Sequence, residues 1–121
     1  MTFEEIYSKR KERIFLSKRE TIEMAKVMIE RLKFVCSTNM PVNLDNKLYN
    51  LIDISSETDL KNGKFVIKLS EEMTPLELED ALIHEWAHVR YWKTGISHSY
   101  DHDAHFGIEF AFVYCEYHGL R

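Results

Sequence analysis

The residues His84-Glu85-Trp86-Ala87-His88 put two histidines four positions apart with a glutamate beside the first, inside a run bracketed by helix signals. Positions i and i+4 of a helix lie on one face, so the two rings can reach a common ion while Glu85 projects beside them. Zinc suits such a pair because it takes nitrogen ligands at about 2.0–2.1 Å in a roughly tetrahedral shell. The pattern therefore asks for a helix here, a third ligand from elsewhere in the chain, and a fourth position left for the water that Glu85 would deprotonate. Two histidines that never meet a metal are the alternative reading of the same five residues.

The flanks favour the helix. Thr74-Pro75-Leu76-Glu77 offers Thr as N-cap, Pro at the first helical position and Glu to close a capping box, and Gly95 is the expected stop. Between them Leu76, Ile83 and Ala87, flanked by Leu82 and Trp86, form an apolar stripe, with His84 and His88 on a neighbouring face.

Upstream, Thr2-Phe3-Glu4-Glu5 and Ser17-Lys18-Arg19-Glu20 are further capping boxes, so the first 36 residues read as two helices or one broken helix. Ile22, Ala25, Met28, Ile29, Leu32, Val35 and Cys36 give the second its apolar face. Asn39 to Pro41 end it, and Val42-Asn43-Leu44-Asp45 is a candidate strand. Leu51-Ile52-Asp53-Ile54 and Phe65-Val66-Ile67-Lys68-Leu69 are β-rich, and Asn62-Gly63 between them signals a type I′ hairpin, hence antiparallel pairing. Phe65, Ile67 and Leu69 should share the covered face. The fold class expected is α+β in one domain: N-terminal helix or helices, a small three-stranded antiparallel sheet, the HExxH helix and a C-terminal helix.

Downstream, Asp101 is a candidate N-cap for a last helix through Phe106, Phe110, Val113, Tyr114 and Tyr117 to Gly119. His102, His105 and Glu109 share a face of it at i, i+3 and i+7, so each is a candidate third ligand, with His98 and Asp103 further out. All six histidines lie at or after position 84, the distribution a C-terminal metal site would produce. Tyr91, His98, Tyr100 and His105 could donate to a developing oxyanion.

A net charge of −4 argues against a dedicated nucleic-acid binder, although residues 1–35 are net basic. Lys9, Arg10, Lys11, Arg13, Lys18 and Arg19 could form a patch that associates weakly with DNA, or a solvated face laced with Glu12, Glu20 and Glu23. No apolar run approaches a membrane span, and the charged start is not that of a signal peptide, so a cytoplasmic protein is expected. Cys36 and Cys115 are isolated and read as buried thiols, neither zinc ribbon nor disulfide framework.

Residues 64–110 resemble the SprT-like zinc peptidases. Phe65 to Glu71 is similar to the family's last strand, Leu78 to His88 to its active-site helix, and His102-Asp103-Ala104-His105-Phe106 to its H-G-x-x-F pattern, with Asp103 where the family usually has Gly. The resemblance implies a minimal zincin fold, Zn2+ held by His84, His88 and His102, Glu85 as catalytic base and Phe106 as the aromatic packed beside the ligands. It further implies hydrolysis of protein or peptide substrates, and several family members act on proteins crosslinked to DNA. No zinc ribbon is present in these residues, so the likeness speaks for the peptide chemistry more than for a DNA role.

A thermolysin-like site would instead use Glu109, while Tyr91 excludes a metzincin by standing where that motif needs glycine. Two other classes fit the pentapeptide: an ImmA-like peptidase that cleaves one regulatory partner, and a zinc-binding module without turnover. For the peptidase, Phe65 to Leu69 is expected to be an edge strand over the cleft that takes a flexible or unfolded substrate in extended form.

Overall fold

The computed structural model describes residues 1–51, 54–92 and 102–120. Its order is α1 (Phe3–Ser8), α2 (Lys18–Val35), β1 (Val42–Tyr49), β2 (Ser56–Lys61), β3 (Lys64–Ser70), α3 (Pro75–Arg90) and α4 (Ala104–His118). The α+β class and the element sequence agree with the reading above. All three capping boxes form: the side chains of Thr2, Ser17 and Thr74 accept from the backbone of Glu5, Glu20 and Glu77, whose carboxylates reach back to the cap N–H.

The sheet departs from expectation in two ways. It is mixed, in the order β1-β3-β2, with β1 parallel and β2 antiparallel to β3. β3 is therefore the central strand, not the edge that Phe65 to Leu69 was expected to form. The cause is burial: Phe65, Ile67 and Leu69 are at most 2% exposed, and a strand with so apolar a face is best covered when both its edges are paired as well. The chain from β1 to β2 passes across the end of β3, where Ser70 N–H donates to Ser55 O and Glu71 N–H to Tyr49 O, both at 2.9 Å. That crossing leaves β1 and β3 running the same way.

The second departure is the position of β2, which lies after Leu51-Ile52-Asp53-Ile54. Asn62 (φ 51°) and Gly63 (φ 74°) make the left-handed two-residue turn foreseen, and this fixes Lys61 opposite Lys64 and Ser56 opposite Leu69. Turn geometry thus outweighs the weak β propensity of Ser56 to Lys61. Leu51 and Ile54 lie outside the strands, Ile54 is 49% exposed, and residues 52 and 53 fall outside the described residues.

α3 is enclosed by α2, α4 and β2, and it buries residues on every side, including Leu78, Leu82, Ile83, Trp86 and Val89. Leu76, expected in the apolar stripe, sits in the first turn and is 39% exposed. Trp86 Nε1–H donates to Cys36 O at 2.8 Å, tying α3 to the end of α2. Cys36 is buried and Cys115 half-buried. α3 stops at Arg90, with Tyr91 as C-cap, before the expected Gly95, which lies outside the described residues. The cap of α4 is Asp103, whose Oδ1 accepts from Phe106 N–H at 3.1 Å, and not Asp101, also outside them. Gly119 ends α4 at φ 71°, the left-handed conformation that glycine adopts without strain.

Candidate metal centre

His84 and His88 stand one turn apart on α3, and His102 lies just before the cap of α4, which packs against α3. Their Nε2 atoms form a triangle: His84 to His88 3.0 Å, His88 to His102 3.0 Å, and His102 to His84 3.1 Å. Of the three, His88 is buried, His84 half-buried and His102 exposed, and among the described residues they are the group able to hold a metal ion. Phe106, 7% exposed, packs its ring against all three imidazoles with centroids 4.5–5.2 Å away.

The donor set fits a cation. Three ring nitrogens facing one point cannot satisfy one another, since each is either a lone pair or an N–H and a triangle of such atoms leaves like groups opposed. One Lewis acid accepts all three lone pairs, and the spacing is within a few tenths of the roughly 3.4 Å that tetrahedral Zn–N bonds of about 2.1 Å require. Burial lowers the His84 pKa, helped by the neighbouring His102, which favours the neutral ring that ligation needs.

Glu85 shares with His84 and His102 a cleft of about 460 Å³, also lined by Ile54, Ser55, Ser56, Glu77, Asp80 and Ala81. It is 5% exposed, and each carboxylate oxygen accepts one hydroxyl: Thr58 Oγ1–H at Oε1 and Ser56 Oγ–H at Oε2, both 2.7 Å. Burial raises its pKa, opposed by these two hydrogen bonds. Ser56 and Thr58 do not stand out in the sequence, where the apolar run at residues 51–54 carries the stronger strand signal. The available signal was their i, i+2 spacing immediately before the Asn62-Gly63 turn, which puts both on one face of β2.

The rival ligands are engaged elsewhere. Glu109 takes Arg90 Nε–H at 2.7 Å, and His105 is exposed with its ring 5.7 Å from that of Tyr91. Asp103 caps α4 and accepts Tyr91 Oη–H at 2.7 Å, so Tyr91 braces the start of α4. His98 and Tyr100 lie outside the described residues.

The expected basic patch is partly consumed within the chain. Arg10 reaches inward to Glu79 (2.6 Å), Lys18 lies 3.7 Å from Glu71, and Arg19 pairs with Glu23 at 2.9 Å. Among the described residues no helix is long and apolar enough to cross a membrane. No family model matches the chain, and no curated protein or solved structure matches it either.

Proposed function

We propose that this chain is a zinc-dependent endopeptidase of the SprT-like kind, with His84, His88 and His102 as ligands and Glu85 as general base. The observation that carries the reading is the meeting of three Nε2 atoms from two helices beside a buried carboxylate in an open cleft. Three protein ligands with a cleft beside them is the pattern of catalytic zinc, whereas structural sites close the shell with a fourth. That contrast favours an enzyme over a zinc-binding module.

Zinc, when bound, supplies the Lewis acidity that makes water nucleophilic near neutral pH and polarises a carbonyl. The chain's own residues do the rest. The three imidazoles would hold the ion, and Phe106 packs against their rings. Glu85 takes a proton from the attacking water and returns it to the leaving amine, a role suited to a carboxylate whose basicity burial has increased. The substrate lies extended against β2, the sheet edge next to the cleft, through main-chain hydrogen bonds.

The test is cleavage of an unfolded protein such as reduced casein. Activity should vanish with a chelator and return with stoichiometric zinc. A chain that binds zinc yet cleaves neither casein nor itself would contradict the proposal.

A further inference from the structure

The Glu85 carboxylate is anchored at both ends from β2. Ser56 and Thr58, at i and i+2 of one strand, point to the same face of the sheet, and each gives its single hydroxyl hydrogen to a different oxygen of Glu85. One such bond would leave the carboxylate free to swing about it; two, on separate oxygens, fix both its tilt and its twist. Both are 2.7 Å long, at the usual optimum for an O–H···O hydrogen bond. Thr58 is 4% exposed, so its hydroxyl has little water to turn to, while the half-buried Ser56 forms part of the cleft wall with His84 and His102.

A carboxylate beside three imidazoles is itself a good zinc ligand, binding at about 2.0–2.2 Å. If Glu85 swung onto the ion it would fill the position needed for water and cease to be a base. We infer that Ser56 and Thr58 are positioning residues whose paired hydroxyls hold Glu85 as a base toward the cleft and keep it from becoming a metal ligand. The inference rests on the peptidase reading for its catalytic consequence, whereas its consequence for the metal does not depend on turnover.

The experiment compares Ser56→Ala, Thr58→Val and the double variant with the hydroxyl-retaining Ser56→Thr and Thr58→Ser. In the zinc enzyme, the first three should lose about 10–100-fold in kcat with KM nearly unchanged, the usual range for groups that orient catalytic ones, and the last two should stay near wild type. In the cobalt-substituted protein, the double variant should keep the strong absorption of a four-coordinate ion but with its bands shifted, because a carboxylate oxygen replaces water among the donors. Adding Glu85→Ala to it should return the bands to their wild-type positions. Equal kcat losses in Thr58→Val and Thr58→Ser, or a double variant with wild-type kcat and cobalt spectrum, would overturn the inference. Should Thr58→Val fail to fold, the half-buried Ser56→Ala decides by the same two readouts. A wild type that cuts nothing would defeat the peptidase reading, while the cobalt spectra would still judge the clamp.

Discussion

His88 and His102, fourteen positions apart in the chain, bring their Nε2 atoms to 3.0 Å, so the end of α3 and the start of α4 meet at one point. An ion there would bridge two helices already joined by side-chain packing, the Arg90–Glu109 pair and the Tyr91–Asp103 hydrogen bond. Binding to the folded chain alone stabilises it by mass action.

The protein should accordingly carry one zinc per chain, and a chelator should lower its melting temperature reversibly. His102→Ala should weaken zinc binding severely. His105→Ala and Glu109→Gln should retain it, because neither side chain belongs to the triangle. Zinc titration of the three variants checks this, and tight binding by His102→Ala with loss in either of the others would move the third ligand.

Substrate presentation gives a second expectation. β2 borders the cleft and has a sheet partner on one side, so a flexible chain can pair with it where a folded one cannot. An unfolded protein should be cut much faster than the same protein folded. Equal rates on reduced and native forms of one disulfide-bonded substrate would contradict this.

The fold has a polar anchor away from the metal. Glu79 on α3 is fully buried and takes Arg10 by both oxygens, at 2.6–3.2 Å, which fastens the chain after α1 to the helix of the site. Arg10→Met leaves that carboxylate buried without its guanidinium and should cost about 3 kcal/mol. Adding Glu79→Leu removes the stranded charge and should recover most of the loss. Urea denaturation of the single and double variants measures both effects; losses that simply add would contradict the pairing.

Acid should destabilise the metal-free protein partly through His118. Its Nδ1 shares a hydrogen bond with Tyr7 Oη at 2.6 Å, its Nε2 faces Glu79 at 3.7 Å, and burial lowers its pKa below the ordinary 6.5. The unfolded chain therefore takes up protons first as pH falls through about 6.5, and stability present above that value is lost below it. His84 acts with the same sign. In chelator, the melting temperature should drop from pH 7.5 to 5.5, and His118→Gln should reduce the drop. An unchanged drop in that variant would contradict this role.

Local chemistry made much of this legible beforehand. The capping boxes, the Asn62-Gly63 turn and the i, i+4 histidines each depend on neighbours in the chain, and each forms as read. The misreadings are nonlocal. Nothing near Val42 reveals that β1 runs parallel to β3, because that follows from the crossing at Ser70, and Asp103 displaces Asp101 as cap at a helix start tied to Tyr91 across the site. Ser56 and Thr58 went unseen because a polar strand has little periodic signal of its own. His102 was one of several ligand candidates in the residue pattern, and its place in the triangle depends on how α4 packs against α3.

If Glu85 acts as a base and the histidines hold the metal, the two roles separate in one comparison. Glu85→Gln and wild type are purified side by side, and zinc content, melting temperature and casein cleavage are measured on the same samples. Glu85→Gln should keep one zinc and wild-type stability while losing at least about 10²-fold in rate, the scale of a lost general base. Cleavage by Glu85→Gln at the wild-type rate, or loss of its zinc, would contradict the account.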